Sequence, residues 1–130
     1  MAEDVWAGLT DRFVEGAYAT VKGRVRTYVL HRHLTDHLPP PPAAVLDVGG
    51  GAGHQSFPLA RLGYEIVLLD SSYAMLAAAE QRLAGEPPDV RPRVRLVPGR
   101  GEDAPALTGS GASTPSCATA CSCTRATRPR

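Results

Sequence analysis

Three short apolar runs stand out along the chain, at residues 45–48, 64–70 and 93–97. Each has the length of a buried strand and is bounded by glycine or proline. A helix is predicted after the first run, over residues 55–62, and another after the second run, where Ser71 or Ser72 can cap an alanine-rich stretch that reaches Leu83. Strands that alternate with helices favour a parallel sheet, so the pattern predicts an α/β fold.

The region before the first run predicts one or two helices over residues 5–38. Four apolar residues recur there at helical spacing and form one stripe: Val21, Val25, Tyr28 and Val29. Four consecutive prolines follow and cannot continue a helix. The predicted organisation is a helical cap (1–38), a proline-rich linker (39–43), a ligand-binding half-domain (44–108) and a tail of different composition (109–130).

The first strand runs into a glycine-rich turn, AVLDVGGGAGH, at residues 44–54. A dinucleotide fingerprint needs G-x-G-x-x-G, but the third position of that frame is His54 or Ser56 here. The chain instead has an acid before alternating glycines, in the order Asp47, Gly49, Gly51 and Gly53, with Gly50 as an addition. A carboxylate in that place would repel a pyrophosphate and would suit a ligand that carries an ammonium or sulfonium.

A second carboxylate, Asp70, ends the next apolar run 21 residues after Gly49. This is about the spacing at which an acid that binds ribose hydroxyls follows a glycine-rich loop. Because ligands lie beyond the carboxyl ends of parallel strands, the two segments and the loop after Val97 are predicted to meet at one crevice.

These residues resemble a class I S-adenosylmethionine-dependent methyltransferase. The upstream stretch AYATVKGRVR, residues 17–26, is similar to the Y-x-T-x-K-G-x-x-R element of the tRNA 5-carboxymethoxyuridine methyltransferase group, and the resemblance runs from about Asp11 to Leu107. It implies the N-terminal part of a Rossmann-like, doubly wound parallel sheet preceded by a helical cap. It also implies S-adenosylmethionine as cofactor, with a small molecule or a tRNA nucleoside as methyl acceptor.

The resemblance and the loop chemistry together give a predicted cofactor site. Arg26 would take the cofactor carboxylate, the glycines would admit its methionyl part, and Asp70 would accept the ribose hydroxyls. The full set is Arg26, Asp47, Gly49, Gly50, Gly51, Gly53, Asp70, Ser71, Met75, Gly101 and Glu102.

Some of these residues have a second interpretation that the sequence leaves open. Met75 could lie against the adenine or belong to the core, and Arg26 could be a solvated helix charge. Glu102 or Asp103 could contact the adenine amine or only keep the loop soluble. No catalytic residue is predicted, because acceptor-recognising residues in such enzymes lie mostly after the fourth strand.

The last residues, 109–130, are rich in small, polar and basic residues and contain almost no large apolar side chain. We expect a disordered tail, or a translation of the missing fourth strand in a shifted reading frame. Moving the frame by one base from Ala112 onward permits FDAVLCHGVLMY, which has the pattern of a strand. On this reading the chain is truncated after its third strand and is inactive alone, and its uncompleted sheet edge invites self-association.

Composition and charge narrow the possible functional classes and locations of the protein further. A net charge of +1 lacks the basic excess of a dedicated nucleic-acid binder, and no apolar run approaches a membrane span, so a cytoplasmic location is expected. No metal site is predicted, since the three cysteines lack C-x-x-C pairs and His33 and His37 lack a third ligand. Two alternatives stay open: a fragment of a nicotinamide-dependent oxidoreductase, and a non-catalytic remnant that binds a partner.

Overall fold

A five-stranded sheet organises the part of the chain that the computed structural model describes, residues 4–104, 116–119 and 123–127. Its strands are β1 (Ala44–Val48), β2 (Glu65–Asp70), β3 (Val94–Pro98), β4 (Ser116–Thr119) and β5 (Cys123–Thr127). The order is β3-β2-β1-β5-β4, and β1, β2 and β3 are parallel. The predicted α/β class with a parallel sheet is confirmed.

Helices precede the sheet and connect its parallel strands. They are α1 (Thr10–Phe13), α2 (Val21–His37), α3 (Ser56–Arg61) and α4 (Tyr73–Ala84), and a wide π turn (Val14–Tyr18) lies between the first two. Ser72 caps α4 by accepting the Met75 N–H at 3.2 Å, which confirms the predicted start of that helix. Within the described residues, no helix is long and apolar enough to cross a bilayer.

The core lies against both faces of the parallel strands. One cluster joins Val45, Ile66 and Val94 of the strands to Phe57 and Leu34 of the helices. A second cluster holds other residues of the same strands together with Ala104. Apolar side chains on both faces are expected of a parallel sheet, whose strands are buried on both sides.

The apolar stripe of α2 faces outward, which the sequence did not indicate. The exposed fraction is 79% for Val21, 57% for Val25, 62% for Tyr28 and 45% for Val29. The helix instead buries Gly23 and Leu34. Periodicity identified a helix with an apolar face, but α2 has apolar residues on two sides and the period alone does not tell which one meets the sheet.

Two strands lie within residues 109–130, for which the disordered or frame-shifted tail stays a prediction. β5 pairs antiparallel with β1, so that Val48 lies opposite Cys123, and β4 pairs antiparallel with β5. The exposed backbone groups along the second edge of β1 explain this pairing, since they need hydrogen-bond partners. The rest of the predicted tail lies outside the described residues, and the edge strands of the sheet are β3 and β4 rather than β1.

Gly23 is required where α2 passes the π turn. A Cβ on Gly23 would overlap the Ala17 carbonyl oxygen and would lie 3.0 Å from the Tyr18 Cα. The Gly23 N–H also donates to the Thr20 hydroxyl at 3.1 Å, which caps α2. The Thr and Gly of the Y-x-T-x-K-G-x-x-R element therefore fix the turn into this helix.

We expect Gly23→Ala to lower the free energy of unfolding by about 1–3 kcal/mol, because backbone atoms cannot yield to the added methyl group. Gly16→Ala is the matched control, since a Cβ there meets no atom within 4 Å. That variant should change stability by less than about 1 kcal/mol. Urea unfolding of both variants measures the difference, and equal stabilities would contradict the close packing.

An ion pair joins α3 to the segment that follows α4. Arg61 donates Nε–H to Glu86 Oε2 at 2.8 Å and a second N–H to Oε1, and the Glu86 side chain is only 8% exposed. The hydrogen bonds from Arg61 lower the pKa of Glu86. Its charged form is therefore favoured by folding.

Glu86→Gln should destabilise the protein at neutral pH by about 1 kcal/mol, because Arg61 loses a charged partner while staying half exposed. The contribution of Glu86 is present above its ordinary pKa of 4.5 and is lost as the pH falls through the lower folded value. Urea unfolding from pH 7 to pH 3 should thus show the two proteins converging in acid. Glu80→Gln, on the exposed side of α4, should track the wild type throughout.

Candidate functional site

A cleft of about 760 Å³ opens at the carboxyl edge of the parallel strands. This volume lies in the range of small-molecule sites, and the place is the one at which open α/β sheets bind ligands. One wall comes from the ends of β1, β2 and β3 and the loops that follow them. The other comes from α2 and the N-terminal segment, with Trp6, Phe13, Tyr18 and Arg26 among its residues.

The glycine loop after β1 forms the floor of the cleft. Gly49 and Gly51 have φ of +71° and +57°, in the left-handed region that side chains disfavour. A Cβ on Gly49 would meet no atom within 4 Å, so the backbone there is open to a ligand. Gly50 is different, because its Cβ would lie 2.7 Å from Leu68 and 2.9 Å from an Asp47 oxygen.

Asp70 ties this loop to the next one. Its Oδ2 accepts the Gly51 N–H at 2.9 Å, and its Oδ1 accepts the Ser72 N–H at 2.8 Å. A carboxylate has about four lone-pair directions, so two backbone bonds leave capacity for further donors. Asp70 can therefore hold the loops in place and still accept hydroxyl groups of a ligand.

Asp47 lies in the wall of the cleft but is only 1% exposed. Its Oδ2 accepts a hydrogen bond from Ser56 Oγ at 2.7 Å, at the first residue of α3. On the far side of the loop, Arg82 donates to the Ala52 carbonyl oxygen at 2.6 Å. The loop is thus held at both ends by bonds within the chain.

Most of the residues predicted for the site come together at this cleft. Nine line it: Arg26, Asp47, Gly49, Gly50, Gly51, Asp70, Ser71, Met75 and Gly101. Two do not. A Cβ on Gly53 would overlap the Phe57 ring, so this glycine serves packing behind the loop, and Glu102 is exposed on a short turn over Gly101–Asp103.

Arg100 lines the cleft in the loop after β3, where the sequence analysis had suggested Glu102 or Asp103. It was not predicted, because an arginine after a strand carries no specific signal. Four rings were missed as well. They follow one another from the N-terminus to the glycine loop, as Trp6, Phe13, Tyr18 and His54, with centroid distances of 4.8, 5.5 and 3.6 Å. Tyr18 and His54 belonged to recognised motifs, but neither motif indicated that their rings meet.

His54 stacks on Tyr18 with its ring plane 9° from parallel. Burial, and next the positive charge of Arg82, lower the pKa of His54 to about 4. The imidazole is therefore neutral around pH 7. Neighbouring Gln55 donates from its side chain to the Thr27 carbonyl oxygen at 3.1 Å, which joins the glycine loop to α2.

Parallel strands, a glycine loop after β1 and an acid at the end of β2 are the features of a nucleotide-type cofactor site on a Rossmann-like fold. The chain belongs to the methyltransferase domain family, whose model matches residues 45–126. The fold predicted from the sequence, the N-terminal part of a class I methyltransferase sheet, is confirmed by solved structures of methyltransferases.

Three relatives illustrate the similarity. The tRNA 5-carboxymethoxyuridine methyltransferase of Escherichia coli K12 is 33% identical over 76 residues, which are 56% of this chain and 29% of the relative. The glycopeptide N-methyltransferase MtfA is 37% identical, with a TM-score of 0.53 over 56% of this chain and 32% of that one. The CcbJ methyltransferase of Streptomyces caelestis is 28% identical, with a TM-score of 0.52 over 75% of this chain and 36% of that one.

The similarity covers a limited part of these proteins. The chain spans about three tenths of the length of the curated relative and about a third of the two solved structures.

An NMR titration should find His54 with a pKa of about 4, and Arg82→Met should raise that value only in part, because burial is the larger cause. Since the unfolded chain binds a proton near pH 6.5, this histidine favours folding above that pH. Its contribution is lost as the pH falls from 6.5 towards 4. An ordinary titration near 6.5 would show that the ring is solvated rather than packed on Tyr18.

Proposed function

We propose that this chain binds S-adenosylmethionine and forms the cofactor half of a methyltransferase. The observation that carries the proposal is the glycine loop tied to Asp70 at the carboxyl edge of β1 and β2. A structure of the related MtfA, 38% identical over 54% of this chain, is a complex with S-adenosylmethionine. That relative supports the assignment because its fold aligns with this one at a TM-score of 0.51.

The residues of the cleft fit this cofactor by shape. Gly49 leaves open the space that a side chain would fill. The volume of the cleft suits a small ligand. Met75 is 4% exposed and yet lines the cleft, so it offers an apolar surface without being free to move away. It can serve both the core and an adenine ring, and the two interpretations left open by the sequence are compatible.

The residues also fit by charge. Asp70 has acceptor capacity left for a pair of ribose hydroxyls. Arg26 reaches the cleft from α2, where its planar guanidinium suits a carboxylate. Asp47 places a negative charge in the wall, which favours a cationic ligand over a pyrophosphate.

When bound, the cofactor supplies an electrophilic methyl group on a sulfonium. The chain's own contribution is position, because the loops that would hold the ligand are fixed by backbone and side-chain bonds before it arrives. The N-terminal segment covers one side of the cleft with rings, which would limit the access of water there when the cofactor is bound. No side chain of the described part is assigned as a catalytic base.

We propose the methyl acceptor only as a broad class, which is a small molecule or a tRNA nucleoside. The relatives named above act on tRNA and on a glycopeptide, according to their names. We infer that the 130-residue chain binds cofactor without turning it over. A cytoplasmic location and self-association through the sheet edges β3 or β4 are further parts of this proposal.

Isothermal titration tests the proposal with S-adenosylmethionine, S-adenosylhomocysteine and NADH. The wild type should bind the first two and not the third. Asp70→Asn should weaken binding about 10- to 100-fold, since it removes charged hydrogen bonds to the ribose and to the Gly51 N–H.

Glu65→Gln is the matched control, because Glu65 is an exposed acid at the opposite end of the same strand. It should bind like the wild type. Uptake of NADH alone would favour the oxidoreductase alternative, and a failure of the wild type to bind any of the three ligands would reject the cofactor site.

A further inference from the structure

The N-terminal segment lies across the cleft and is attached at two separate points. We call residues 4–18 the strap. At its start, the Asp4 carboxylate accepts the Ser72 hydroxyl at 2.8 Å and the Ala74 N–H at 3.2 Å, at the first turn of α4. At its end, Tyr18 stacks on His54 of the glycine loop. The two attachments lie on loops that follow different strands, so the strap bridges the carboxyl edge of the sheet.

Between these points the strap presents rings to the cleft. Trp6 and Phe13 line it and contact each other at 4.8 Å, and Phe13 contacts Tyr18 at 5.5 Å. Removing the strap would therefore remove the ring-bearing part of this wall and leave only the part formed by α2.

The strap is held weakly compared with the sheet. Among the described residues, neither core cluster contains a residue of the strap, and Thr10 is its only buried position. Val5 and Leu9 are 74% and 46% exposed. A segment with few buried apolar contacts opens at a lower free energy than the core, so the strap can move while the sheet stays folded.

We propose that the strap is a lid over the cofactor cleft and that Tyr18 and His54 are its positioning pair, the ring contact that keeps the lid closed on the glycine loop. Burial is the larger cause of the lowered pKa of His54, which agrees with a ring that is packed on Tyr18 and withdrawn from solvent. Asp4 anchors the other end. The claim that the lid covers a cofactor rests on the proposed function. The claim that the strap closes over the cleft does not.

Trp6 makes the lid observable without any ligand, because it is the only tryptophan of the chain and lies within the strap. Tyr18→Leu removes the ring partner of His54 and keeps an apolar side chain of similar reach. The open population should rise about 2- to 10-fold in this variant, as expected from the loss of an aromatic pair. Acrylamide quenching of Trp6, which is 37% exposed in the closed arrangement, should increase with it. Tyr18→Phe keeps a ring and should behave like the wild type.

Tyr28→Leu is the control for tyrosine loss in general, since Tyr28 lies 62% exposed on the outward side of α2. It should leave the quenching unchanged. Thermal unfolding followed by far-ultraviolet circular dichroism should give Tyr18→Leu and Tyr28→Leu similar midpoints. Unchanged quenching in Tyr18→Leu, or a rise matched by global loss of structure, would overturn the lid.

A second readout connects the lid to the cofactor. The dissociation rate of S-adenosylhomocysteine should rise about 2- to 10-fold in Tyr18→Leu and return to the wild-type rate in Tyr18→Phe. If the wild type binds no cofactor, the proposed function fails while the quenching experiment still decides the lid. If cofactor binds and its release is the same in all variants, the positioning role of Tyr18 and His54 is wrong.

Discussion

The site depends on the carboxylate of Asp70, which connects parts of the chain that are distant in sequence. It accepts the Gly51 N–H from the loop after β1 and the Ser72 N–H before α4. Ser72 in turn caps α4 and donates its hydroxyl to Asp4. Hydrogen bonds to an ionised acceptor are stronger than neutral ones, so this acid fixes two loops and the start of the strap relative to one another.

Positions without a side chain are the second constraint, and they serve two different purposes. Gly49 and Gly51 are needed for their backbone conformation and for the open space above them. Gly50 and Gly23 are needed because another part of the chain already occupies the place of a Cβ. A glycine-rich sequence therefore describes a ligand-facing surface at some positions and close internal packing at others, and the sequence alone does not separate the two.

The sequence predicted the three parallel strands, and most of the residues it proposed for the site line the cleft, since strand ends, glycines and acids carry local signals. It did not predict which side of α2 is buried, because that choice depends on the contact between Gly23 and Ala17 rather than on periodicity. Nor did it predict the rings of the strap. Trp6 and His54 are 48 positions apart, and only the fold places them along one wall.

The second acid of the site, Asp47, separates the two cofactor classes that the sequence left open. Asp47 is 1% exposed, so little solvent screens its side chain, and its Oδ2 accepts a hydrogen bond from the Ser56 hydroxyl. A pyrophosphate placed on this loop would face that charge across a partly desolvated wall. A sulfonium would instead be stabilised by it, at the same distance and by the same field. An ionised Asp47 would thus suit the cationic cofactor of the proposal, and its hydrogen bond with Ser56 of α3 also holds the glycine loop in shape.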